Sequence, residues 1–148
     1  MKQSKIAKII EILFKIILII GIICIPFIPK LYDLLKIFKP FSSQTLFYKI
    51  MFYICYILCL GIIFTLNYIF KNIYNNSPFT KTIEKSLKIV AILFMILSLT
   101  VLIKTIYMPT ILSIGIIVVT FITSLCFYTL SQIFKVAIEY KDEVDYTV

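Results

Sequence analysis

Asn75-Asn76-Ser77-Pro78-Phe79-Thr80-Lys81-Thr82-Ile83-Glu84-Lys85-Ser86-Leu87-Lys88 is the one clearly polar interruption between two apolar halves of the chain. Asn75, Asn76, Ser77 and Pro78 stop a helix. Thr80 can cap the next one, with Glu84 in its first turn against the positive end of the helix dipole. Just upstream, Ile50 to Phe70 is uncharged between Lys49 and Lys71, and a membrane span needs ~20 such residues. Just downstream, Ile89 to Ile103 is uncharged but shorter, so Lys88 and Lys104 must reach outward to the two interfaces. Tyr107 would sit in the interfacial aromatic belt. One membrane helix therefore ends at this stretch and another begins. Only helices or closed barrels satisfy the backbone in lipid, and these runs are too long for barrel strands.

The whole composition agrees. Of 148 residues, 61% are apolar and the mean hydropathy is +1.06, whereas soluble domains run nearer ~45–50% apolar. All 15 basic residues are lysine, and there is no Arg, His or Trp. The richness in Ile, Lys, Asn, Tyr and Phe suggests an AT-rich bacterial genome. The net charge of +8 would fit nucleic acid, but the lysines flank apolar runs and form no single basic face. Anionic lipid headgroups are the better partner, and no direct nucleic-acid binding is expected.

Working towards the N-terminus, Thr45 to Lys71 reads as the second span, capped by Ser42 or Ser43. Asn67 near its end reads as a hydrogen-bonding group between helices. Leu31, Leu34, Leu35 and Phe38 recur at helical spacing with Asp33, Lys36 and Lys39 opposite, between Pro29 and Pro40. That is a short amphipathic helix on the membrane surface, or alternatively a binding lid. The first span is expected at residues 8–28, uncleaved because no small-x-small site follows and Ile23 precedes Cys24. Glu11 and Lys15 then fall in its first turns, the acid four residues ahead, the better order for a pair. They read as an interfacial charge pair with a snorkelling lysine, or else as an intramembrane charge site. Cys24, Cys55, Cys59 and Cys126 all lie in apolar runs. They imply no secreted disulfide framework. A four-cysteine metal site would lack loop spacing and put thiolates in hydrocarbon, so small-residue packing is the better reading.

Working towards the C-terminus, residues 83–107 form the third span and 109–138 the fourth. Ser113, Thr120, Ser124 and Ser131 make a hydroxyl stripe that lets another helix approach closely, or that lines a pore. The tail, 139–148, carries Glu139, Asp142, Glu143 and Asp145, four of the 7 acidic residues in the chain. It is either a solvated tail or a docking segment for a basic partner. The expected architecture is a single all-α membrane domain, 1–148, a bundle of four transmembrane helices with an external amphipathic helix.

Lysine placement sets the threading. With the N-terminus inside, Lys2, Lys5, Lys8, Lys15, Lys71, Lys81, Lys85, Lys88, Lys135 and Lys141 are cytoplasmic, against Lys30, Lys36, Lys39, Lys49 and Lys104 outside. Both termini and the loop 72–82 are thus expected in the cytoplasm, and the protein in the cell membrane.

Two stretches resemble the bacterial membrane family called domain of unknown function 2975. One is Asn76-Ser77-Pro78-Phe79-Thr80 with Leu87-Lys88-Ile89, similar to a Pro-Phe-Thr core that leads into the third helix of that family. The other is Phe134-Lys135-Val136-Ala137 through Glu139, Tyr140, Glu143 and Asp145 to Thr147-Val148, similar to an acidic tail ending in Thr-Val. Ala137 stands where Gly is usual, Tyr140 and Tyr146 where Leu is usual, and Lys81-Thr82 where acidic or amide residues are common. The resemblance implies a four-helix membrane protein without an assigned activity, often encoded beside a small helix-turn-helix regulator.

Three function classes follow. The first is a regulatory protein whose loop (Pro78, Phe79 and Thr80 as a helix-entry motif) and tail (Glu139, Glu143 and Asp145 as contacts) hold a soluble DNA-binding partner. The second is a small transporter, a transporter subunit or an immunity protein against a membrane-active peptide, which needs polar groups near the bilayer midplane. The third, an enzyme, lacks its parts. There is no His, no nucleophile elbow and no paired midmembrane carboxylates, and Gly21, Gly61 and Gly115 all lie inside helices. No cofactor, metal or catalytic residue is expected, and the sequence does not set the oligomeric state.

Overall fold

The computed structural model describes residues 2–30, 45–75, 80–107 and 109–147, which are helical almost throughout and contain no strand. The four long helices are α1 (Lys2–Cys24), α2 (Thr45–Asn75), α3 (Lys81–Tyr107) and α4 (Ile111–Tyr146). A 3-10 turn, Ile25–Phe27, follows α1. All 4 helices are long and apolar enough to cross a membrane. The chain is the all-α four-helix bundle that its hydropathy pattern calls for. The amphipathic segment 31–41, Pro78 and Phe79 lie outside the described residues.

Local chemistry explains the ends. Pro26 falls in the first turn of the 3-10 segment, where its missing N–H costs no hydrogen bond. Thr110 is the N-cap of α4, in extended conformation at φ −127° and ψ 141°. Its Oγ1 accepts from the Ser113 amide at 3.3 Å, and Ser113 Oγ accepts from the Thr110 amide at 3.3 Å. This reciprocal box satisfies two donors that a helix start leaves open. The helix therefore begins just after Pro109. The far end of α4 differs more from the sequence reading. The helix continues past 138 to Tyr146, because 139–146 contains neither Gly nor Pro and nothing in it breaks a helix.

Each helix packs antiparallel on the next in the chain. α1 meets α2 through Phe14 stacked on Phe70, centroids 5.5 Å apart, and through the Tyr56 hydroxyl, which donates to Gly21 O at 2.6 Å. Gly21 makes a close approach there: a Cβ would lie 2.5 Å from Leu60 Cδ2, the end of a flexible side chain that would have to turn aside. α2 meets α3 through Phe47 against Tyr107 at one end, edge-on at 5.1 Å. At the other end Ile69, Ile83, Leu87 and Val90 form the buried core, with Leu66, Ile73, Phe94, Phe127 and Phe134 packed around it. α3 and α4 make the most extensive contact of the molecule. The starts of α1 and α3 and the ends of α2 and α4 thus share one end of the bundle.

Candidate functional site

Polar chemistry is concentrated at four places. The first is the Glu11–Lys15 pair on α1, with Lys15 Nζ 2.6 Å from Glu11 Oε1. Its two members are not equivalent: the glutamate side chain is 10% exposed and the lysine 52%. Glu11 sits on the helix face that carries Phe14 and Gly21, towards α2, while Lys15 projects outward. That geometry is an exposed lysine neutralising a carboxylate at a helix–helix joint.

The second place is the α3–α4 seam. Ser124 Oγ donates to Ala91 O at 2.8 Å, Ser131 Oγ to Glu84 O at 3.3 Å, and Ser98 Oγ to Ile117 O at 3.3 Å. The positions 84, 91 and 98 on α3, and 117, 124 and 131 on α4, each recur at heptad spacing. Three hydroxyl-to-carbonyl bonds thus cross the seam at regular levels, the arrangement of small residues that lets two backbones approach in a left-handed crossing. Ser113, Thr120, Ser124 and Ser131 are all buried, as are Ala91 and Ser98. Among the described residues the stripe is covered by α3, the close-packing reading of it. Thr120 bonds back to Ile116 O within its own helix at 2.7 Å. Ala91 and Ser98 were not singled out by sequence; the signal that would have found them is the shared heptad spacing on the partner helix.

The third place is the entry to α3. Thr80 O accepts from the Ile83 and Glu84 amides at 3.0 and 3.3 Å, as the residue before a helix should. Lys81, Lys85 and Lys88 are exposed on the outer face. Asn67 Oδ1 and Asn72 Nδ2, on α2, are buried with no hydrogen-bond partner among the described residues. The expected interhelical bond of Asn67 therefore does not form through its carbonyl oxygen.

The fourth place is the end of α4. Ser131 lies level with Glu84 and Ile138 is still buried, while every residue from Glu139 to Tyr146 is exposed, so α4 projects beyond its cover from Glu139 onward. At 1.5 Å per residue that projection is roughly 12 Å. Glu139, Asp142, Glu143 and Asp145 are all exposed on it, as are Tyr140 (66%) and Val144 (61%). A helix holds these groups at fixed spacing, which a solvated coil would not.

All four cysteines are free thiols; Cys24, Cys59 and Cys126 are exposed and Cys55 is half-buried. Among the described residues no three His, Cys, Asp or Glu side chains converge to hold a metal. Comparison with family models, curated proteins and solved structures finds no match to this chain.

Proposed function

We propose that this chain is a multi-pass protein of a bacterial cell membrane, with both termini and the α2–α3 connection in the cytoplasm. Its function is to hold a soluble cytoplasmic regulator, a small basic DNA-binding protein of helix-turn-helix type. The observation that carries this reading is the acidic end of α4: a rigid helical projection with Glu139, Glu143 and Asp145 exposed. The rest of the chain is strongly basic and suits an anionic headgroup layer. The same layer repels the acidic end and keeps it standing in water, where a basic partner can be steered to it. The resemblance of the loop and tail to the domain of unknown function 2975 family fits the same reading, because the start of α3 and the end of α4 lie at one end of the bundle.

The test is co-purification in mild detergent from native cells, with Glu139, Glu143 and Asp145 intact or all changed to Lys. The expected result is a DNA-binding protein that is recovered with the native tail and lost with the reversed one. Recovery of transporter subunits, unaffected by the tail, would replace this reading with a transport role.

A further inference from the structure

α4 carries a second line of residues that its packing on α3 leaves uncovered. The covered line, Ser113, Thr120, Ser124, Ser131 and Ile138 with Phe127 and Phe134 beside it, follows a heptad spacing along the helix. A helix that keeps a heptad line against its neighbour is wound at 3.5 residues per turn relative to the bundle. Any other line of the same spacing then also stays straight. One residue behind the covered line, about 100° around the helix, runs such a line. It goes from Ile116 through Val119, Cys126 and Ile133 to Tyr140 and Val144. Thr123, Leu130 and Ala137 fill its remaining positions.

Its course at the end of α4 sets this line apart from an ordinary lipid-facing surface. It continues along the projecting end through Tyr140 and Val144, both exposed. Lys135, Glu139, Lys141, Asp142, Glu143 and Asp145 crowd that end, yet none of them falls on the line. Its side chains are open: Val119 is 64% exposed, Ile133 57%, Tyr140 66% and Val144 61%. Ile133, Ala137 and Tyr140 border an open, shallow depression shared with Thr129, Gln132 and Val136 of the neighbouring face, and small Ala137 leaves room between its two larger neighbours.

From this we infer that two copies of the chain associate side by side, in parallel, through this line on α4. Copies in one membrane share an orientation, so a two-fold axis along the bilayer normal brings each position opposite its own equivalent. Knobs from one helix then enter the holes of the other, Tyr140 and Ile133 around Ala137. From the fractional exposures, the side chains on the line expose roughly 700 Å² per copy, the most that a seam along it can bury, against the ~800 Å² that each partner buries in a standard interface. Glu139 and Asp145 stay off the seam, and Glu143 flanks it beside Val144. The dimer therefore leaves Glu139 and Asp145 free for the partner proposed above and presents two acidic ridges side by side.

Cys126 lies on this line and is exposed, which supplies the test in the native protein. Membranes holding the full chain are treated with a short bifunctional thiol reagent and the products resolved on a denaturing gel. A covalent dimer is expected, lost in Cys126→Ser and retained when Cys24, Cys55 and Cys59 are all changed to Ser. Tyr140→Asp and Val144→Asp, both on exposed positions outside the core, should lower the cross-linked fraction about tenfold or more, a shift of ~1.4 kcal/mol in association. Reversal of Glu139 and Asp142 to Lys should leave it unchanged. Single-molecule bleaching of the labelled chain in nanodiscs should show two steps for the native sequence and one for Tyr140→Asp. A monomer in bleaching, or a covalent dimer that survives Cys126→Ser, overturns the proposal. Because the seam variants and the acidic variants are separate, loss of the regulator with an intact dimer counts against neither the seam nor its geometry.

Discussion

Ser124→Leu tests whether close approach at the α3–α4 seam holds the bundle together. Ser124 is 3% exposed and so is Ala91 opposite it, and their contact is a hydroxyl-to-carbonyl bond of 2.8 Å. Ser124→Ala removes the bond but keeps the approach. The Ala91 carbonyl still accepts within its own helix, so the cost is that of one interhelical hydrogen bond in lipid, about 0.6 kcal/mol. Ser124→Leu instead forces a branched side chain between two backbones. Overpacking of that kind costs ~1–3 kcal/mol. Separation also strains the Ser131–Glu84 and Ser98–Ile117 bonds one heptad away on either side, both already 3.3 Å, which adds about 0.6 kcal/mol each. The expected total is ~2–4 kcal/mol. The assay is reversible unfolding in mixed detergent micelles, followed by energy transfer between dyes at the ends of α3 and α4. Thr129→Leu, on the outer face of α4, controls for hydrophobicity and should lie within about 0.5 kcal/mol of the native protein. A Ser124→Leu protein no less stable than Ser124→Ala would refute the reasoning.

The Glu11–Lys15 pair should respond asymmetrically to the same assay. Lys15→Ala strands a nearly buried carboxylate and should cost about 3 kcal/mol, whereas Glu11→Ala leaves a half-exposed lysine that can snorkel and should cost under ~1 kcal/mol. At the α1–α2 joint, Gly21→Ala asks only the end of the Leu60 side chain to move. Gly21→Val also crowds Tyr56, whose hydroxyl bonds Gly21 O, and should cost ~1–3 kcal/mol, read as loosened α1 in energy transfer between α1 and α2. Thr110→Ala removes the cap of α4 and should cost about 1 kcal/mol. Hydrogen exchange should quicken at the amides of the first turn, Ser113 above all, while the amides beyond Thr120 keep their protection.

Much of the fold could be read directly. The apolar runs, the polar break at Asn75–Lys88 and the helix count follow from the hydrocarbon thickness and the need to pair every backbone group. The Glu11–Lys15 spacing and the Ser113–Ser131 stripe were legible for the same kind of reason: helical periodicity places them on one face whatever lies opposite. Thr110 was legible in principle, as a Thr-x-x-Ser start after a proline, but its signal is local and short. The end of α4 was less legible, since the acidic residues from 139 onward mark out a tail by composition alone. Charge does not break a helix, however, and 139–146 contains no residue that does.

Periodicity within a single helix cannot say which neighbour covers which face. Sequence alone settled that four helices form, roughly where each begins, and which residues share a side, because those depend on composition and the helical repeat. Tertiary structure decided that the hydroxyl stripe of α4 meets the backbone carbonyls of Glu84 and Ala91, and that Ser98 returns the same bond to Ile117. It also decided that Asn67 Oδ1 meets no donor among the described residues, and that the acidic end of α4 stands clear of α3. These depend on the axial offset between helices, which is set by side chains packing across an interface and is encoded in no single stretch.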